Sequence, residues 1–137
     1  MSQSSPEPLL ELLAAYDTLV EVGIGRRTDL AEALLDRGAT VTATDIEQCP
    51  VPDGVDFVVD DVTDPDRSIY TAAEAIYARR LPPELQRPTW ELARNVGAAC
   101  FFTTLGGDPA LVPAETRTTA AGTVHVSLRG DPGENPF

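Results

Sequence analysis

The sequence predicts an α/β fold, a three-layer domain with helices on both faces of a mainly parallel sheet of about six strands. Three observations carry that expectation. Strand-like and helix-like runs alternate along the chain. The segment Thr18 to Asp45, TLVEVGIGRRTDLAEALLDRGATVTATD, reads as a strand, a glycine turn, a helix and a second strand ending in an acid. The length, 137 residues, fits one domain with a single sizeable core, and no internal repeat divides it. Residues 1–137 are therefore expected to form one domain, with 1–6 and 130–137 as flexible ends.

The elements follow in order. Glu7 to Ala15 places Leu9, Leu10, Leu12 and Leu13 on one side of a helix that would pack against the sheet. Thr18 to Val22 is a short apolar run suited to a central parallel strand. Gly23-Ile24-Gly25-Arg26-Arg27-Thr28 breaks it. A helical period returns from about Arg26 to Arg37, with Leu30, Ala31, Leu34 and Leu35 inward, and Gly38 ends it. Ala39 to Thr44 is the second strand, with Asp45 at its carboxyl end. Cys49-Pro-Val-Pro-Asp-Gly54 is too rich in proline for the expected crossover helix. Val55 to Val59 is the third strand, and Asp64-Pro65 can start a short helix. Ala72 to Tyr77 reads as a weak fourth strand, and Pro83 to Val96 as a helix that Pro88 can restart. Ala98 to Thr104 is a fifth strand. Gly122 to Leu128, with Val124, Val126 and Leu128 on one face, is expected at the sheet edge, antiparallel. Arg129-Gly130-Asp131 spells an adhesion tripeptide by chance.

Composition narrows the function classes. The net charge is −12, all ten basic residues are arginines and lysine is absent. Such a surface looks like that of a salt-loving archaeon, where carboxylates hold water and salt screens their repulsion. It disfavours nucleic-acid binding, which needs a basic face. No apolar run approaches the roughly 20 residues of a membrane span, and the N-terminus lacks the pattern of a secretory signal, so the expected location is cytoplasmic. Cys49, Cys100 and His125 cannot complete a zinc site. Cys100 reads as a core residue, Cys49 as a free loop thiol and His125 as structural.

Two constellations could carry chemistry. In the first, Gly23 and Gly25 let the backbone approach a ligand closely and aim helix N–H groups at it. Asp45, 20 residues beyond Gly25, suits the two hydroxyls of a ribose. A dinucleotide such as NAD wants a third glycine where Thr28 stands. Glu21, ahead of the glycines, would repel a pyrophosphate, and points instead to S-adenosylmethionine. Arg27 departs from that pattern too, and could cover the pocket or reach a substrate anion. A tight turn with an acid capping a loop is the plainer alternative. The second constellation is Ile76-Tyr77-Ala78-Arg79-Arg80-Leu81-Pro82-Pro83-Glu84-Leu85, beyond the fourth strand. Tyr77, Arg80 and Glu84 are candidates to face an acceptor, with Arg80 able to grip a carboxylate or phosphate. A rigid turn that starts a helix explains the same prolines.

The Val-Glu-Val-Gly-x-Gly start and the second stretch together resemble archaeal uncharacterised protein family 0146, whose signature reads I-Y-x-x-R-P-P-P-E-L. Arg80, Pro82, Pro83 and Glu84 fall on it, and Leu81 replaces its first proline. The resemblance runs from about Val20 to Thr104 and implies a Rossmann-like, methyltransferase-like fold. It also makes Asp61 a candidate contact for an adenine amino group, with Val62 packing on the ring. The expected function is binding of S-adenosylmethionine or a related adenosine ligand, with a small methyltransferase as the enzymatic form. A non-catalytic NAD or nucleotide sensor, and a remnant of the fold that acts through a protein partner, stay open.

Overall fold

A computed structural model describes residues 8–128. The ends expected to be flexible, the tripeptide included, lie outside the described residues. In chain order the elements are α1 (Leu10–Leu13), β1 (Thr18–Val22), α2 (Asp29–Asp36), β2 (Thr40–Asp45), β3 (Asp56–Val59), a 3-10 turn (Arg67–Ile69), β4 (Ala75–Ala78), α3 (Pro83–Val96), β5 (Ala99–Phe102), β6 (Glu115–Thr119) and β7 (Gly122–Ser127). Among the described residues these form one seven-stranded sheet in the order β3-β2-β1-β4-β5-β7-β6. The first five strands run parallel, and β7 lies antiparallel to both β5 and β6.

Each face of the sheet buries its own apolar cluster. Leu9 and Leu13 of the α1 region pack with Leu30, Ala31 and Leu34 of α2 against Leu19, Val41, Ala75, Phe101 and Val126. On the other face Trp90, Leu92 and Ala93 of α3 cover Val20, Ile76, Cys100 and Phe102. Residues alternate between faces along each strand, as the pleat requires. This gives the three expected layers.

The differences from expectation have physical causes. The strand at the sheet edge is β6, not β7. Its sequence, Glu-Thr-Arg-Thr-Thr, has no apolar residue and is mostly exposed, so hydrophobic patterning cannot see it. Since β7 has neighbours on both sides, His125 and Ser127 are buried on its second face. The indole N–H of Trp90 donates to Ser127 Oγ at 3.2 Å, and His125 Nδ1 lies 3.0 Å from Thr116 Oγ1. The helix after the glycine turn starts at Asp29 rather than Arg26, because Arg27 N–H closes a turn onto Ile24 O at 3.2 Å. The fourth strand starts at Ala75, three residues late, behind a turn in which Ala73 N–H bonds Tyr70 O. The first helix is the single turn Leu10–Leu13. The prolines of 50–52 do remove the crossover helix, and β3 is left on the edge with Val58 and Val59 exposed.

Candidate functional site

All the predicted site residues gather at one edge, the carboxyl ends of the parallel strands. At the end of β1, Gly23 (φ +72°) and Gly25 (φ +55°) adopt left-handed backbone that favours glycine. A Cβ added at either would meet nothing within 4 Å, so the space above the turn is open. The turn is fixed from below. Gly23 and Ile24 N–H both donate to Thr44 O, at 2.8 and 3.2 Å. Gly25 N–H donates to Asp45 Oδ2 at 2.9 Å, and Glu47 N–H reaches Asp45 Oδ1 at 3.4 Å. Asp45 thus links the glycine turn to the start of the next loop, half-buried at the end of β2. Each carboxylate oxygen keeps a lone pair for a further donor.

Beside Asp45, Ile46 is 67% exposed. Past β3, Val62 is buried, while Asp61 is exposed and accepts from Thr63 Oγ1 at 2.7 Å and Thr63 N–H at 2.9 Å. Those bonds, the hydroxyl first, hold its carboxyl below the usual carboxylate range. Asp60 accepts the Tyr70 hydroxyl at 2.6 Å, and burial is the main reason that tyrosine resists ionisation.

Glu21 and Tyr77 sit differently from the expectation that they face ligands. They are opposite each other in the β1–β4 register and are 1% and 0% exposed. Tyr77 donates to Glu21 Oε1 at 2.9 Å, beneath the α2 layer. Arg79, two residues on and so on the same face, brings its Nε to 3.9 Å from Glu21 Oε2. Its fork then grips Asp29 with Nη2–Oδ1 at 3.0 Å and Nη1–Oδ2 at 3.3 Å, and Nη2 donates to Arg27 O at 2.8 Å. The Arg79 hydrogen bonds are the first cause that lowers the Asp29 pKa. Sequence reading gave Arg79 no role. The available signal was parity: a buried acid on β1 needs a cation on the same face of the next strand.

Arg80 and Glu84 are exposed. Arg80 has φ +55°, the one non-glycine residue with positive φ among the described residues. Its N–H donates to Thr103 Oγ1 at 3.0 Å, and Leu81 N–H donates to Thr103 O at 2.8 Å. Leu81 is itself buried against the α3 face. Its N–H makes a bond that the proline of the resembled signature cannot, so the loop is pinned here by hydrogen bonding and packing. A separate cavity of about 580 Å³ lies between the 104–114 loop and the β6–β7 hairpin, lined by Thr104, Asp108, Val112, Thr116 and His125. None of the predicted site residues lines it.

The strand order, with an antiparallel strand slotted next to the far edge, and the glycine turn facing an acid on β2 define a Rossmann-like fold, which solved methyltransferase structures share. The chain matches the model of the uncharacterised protein family UPF0146 over residues 8–129, and it belongs to that family. A UPF0146 protein of Halobacterium salinarum is 56% identical over 125 residues, covering 90% of this chain and 97% of its own. Among solved structures, an RNA methyltransferase from Salinibacter ruber in complex with S-adenosyl-L-homocysteine superposes with a TM-score of 0.62 at 18% identity, covering 97% of this chain and 98% of that one. A Rhodobacter sphaeroides chain, provisionally described as a zinc-dependent alcohol dehydrogenase, gives 0.59 at 18% identity, covering 77% of this chain and 49% of that one. These likenesses establish the fold. No described helix is long and apolar enough to cross a membrane.

Proposed function

We propose that the chain binds S-adenosylmethionine or a close adenosine relative across the carboxyl ends of β1, β2 and β3, and works as a small methyltransferase. The observation that carries this reading is the open space above two left-handed glycines, one of which is hydrogen-bonded to the Asp45 carboxylate. Asp45 has lone pairs left for a ribose. Ile46 offers apolar surface for a base and Asp61 an acceptor for its amino group, whereas Val62 is buried in the core on the α3 face. When bound, S-adenosylmethionine supplies an activated methyl group. The chain's own contribution is positioning, which alone accounts for much of a transfer rate. Glu21 acts here through Tyr77 and Arg79, setting the wall of the site rather than touching the ligand. Arg80 and Glu84 stay exposed on the side where an acceptor would approach.

Calorimetry with S-adenosylhomocysteine in molar potassium chloride tests the reading. Binding is expected, with Asp45→Ala weakening it about tenfold or more through the loss of charge-assisted hydrogen bonds. No heat and no rise in melting temperature with the wild type would overturn it. The same glycine turn gives NAD a place as a second ligand in the same titration. Protection by NAD alone would move the reading to a non-catalytic dinucleotide sensor.

A further inference from the structure

The cavity beside the β6–β7 hairpin is lined by none of the residues assigned to the adenosine ligand. At about 580 Å³ it falls within the range of small-molecule sites, roughly 300–1,000 Å³. Its loop wall is fixed by hydrogen bonds. Thr104 Oγ1 donates to Asp108 O at 2.7 Å, and Asp108 N–H donates to Leu105 O at 3.0 Å. The buried Gln86 of α3 fastens the next stretch at Pro109 O and Leu111 N–H. The opposite wall is the hairpin, where Thr116 and His125 face each other in the β6–β7 register.

Two polar groups line this cavity without a full set of partners. His125 is 4% exposed, and its ring lies tilted against Phe102 with centroids 5.1 Å apart. Nδ1 lies 3.0 Å from Thr116 Oγ1, and no described residue bonds Nε2. Nor is Nε2 sealed off. The buried side-chain atoms without partner or access are, among the described residues, Arg79 Nε and Thr89 Oγ1. The free nitrogen of a ring that lines the cavity therefore keeps access to it. On the loop wall Asp108 is half-buried, and its carboxylate has no hydrogen bond or ion pair among the described residues. Polar groups so placed are normally satisfied, and here both can accept from a donor.

The charge of the lining selects the ligand. It holds one carboxylate and no arginine. Arg117, next to Thr116, points to the other face of the hairpin by strand alternation and pairs with Glu115. An anion thus finds no cation in these walls. Ala110, Val112 and Ala114 add an apolar side.

We propose that the cavity binds an organic amine, with Asp108 and His125 Nε2 accepting its N–H groups and its apolar body lying along Ala110, Val112 and Ala114. In the tautomer that donates Nδ1–H to Thr116 Oγ1, Nε2 is the acceptor this requires. Molar salt screens the long-range field of Asp108, but short charge-assisted hydrogen bonds persist. The site does not rest on the adenosine reading.

The chain holds one histidine, so its ring nitrogens give isolated NMR signals. Two probes are titrated into the untagged chain in molar potassium chloride at fixed pH. Benzylamine stands for a free amine, and Nα-acetyl-lysine amide for a lysine side chain. At least one should move the Nε2 signal saturably, and the tighter of the two names the source of the amine. Asp108→Asn should weaken that binding about tenfold or more while keeping its melting temperature. Benzyl alcohol, of benzylamine's shape without its charge, should bind the wild type less tightly by a similar factor. An Nε2 signal that neither amine moves would overturn the site. So would equal affinity in Asp108→Asn, or benzyl alcohol binding as tightly as benzylamine. Displacement of the amine by S-adenosylhomocysteine would overturn it too, since the cavity would then hold the cofactor's own ammonium. If the amines bind and S-adenosylhomocysteine does not, the amine site stands and the adenosine reading fails.

Discussion

Replacing Arg79 by methionine would leave the Glu21 carboxylate buried with Tyr77 but without its cation. Removing one partner of a buried ion pair typically costs about 3 kcal/mol, read as a lower urea midpoint. The same variant has a signature in acid. Asp29 titrates below the usual carboxylate value of 3.8 because Arg79 bonds its ionised form. Its contribution to stability is therefore complete above that value and is lost as pH falls through the depressed one. In Arg79→Met that component should disappear, so the acid limb of stability should be flatter than in the wild type, and a purely packing role for Arg79 would leave the acid limb unmoved. At this scale the sequence was legible where a residue type has one use. Gly23 and Gly25 sit in left-handed backbone, and Asp45 lies at its strand end beside them. The motifs mark Glu21 and Tyr77 as candidates to face a ligand, and the β1–β4 register pairs them on one face, both buried. That pairing points both side chains at α2.

In α3 the interior proline is the clearest test. Pro83 to Val96 runs unbroken through Pro88, which has no N–H to give the preceding turn. Pro88→Ala should raise stability by about 1–3 kcal/mol, measured by thermal melting. A fall instead would mean that its ring, at the rim of the cavity shared with Val62 and Pro65, packs better than the helix suffers. The helix also does work no pattern announces. Gln86, fully buried, donates from Nε2 to Pro109 O at 3.2 Å and accepts Leu111 N–H at 2.6 Å, fastening the 105–111 loop. A glutamine amid helical spacing reads as surface, and only the loop folded over it makes it core. The strand β6 was illegible for the opposite reason. Its threonines have strand propensity but no apolar period, and its partner β7 supplies the burial.

Among the described residues the charge lies at the surface, apart from the buried Glu21–Arg79 pair. With a net charge of −12, mutual repulsion works against the compact state, and salt relieves it. The melting temperature should rise with potassium chloride into the molar range, and a flat response would argue against a salt-adapted surface. The class of fold was legible from alternation and from the β1–α2–β2 opening, because the central strands β1, β4 and β5 are short, mostly apolar runs buried on both faces. The final arrangement around β5 was not, since it depends on a hairpin formed from polar residues. That hairpin has a consequence for how the protein is made. Until β7 emerges from the ribosome and docks, β5 has only β4 beside it, and one backbone edge of Ala99–Phe102 stays unpaired. Synthesis interrupted before Glu115 would thus yield an aggregating chain with an open sticky edge, rather than a smaller working domain.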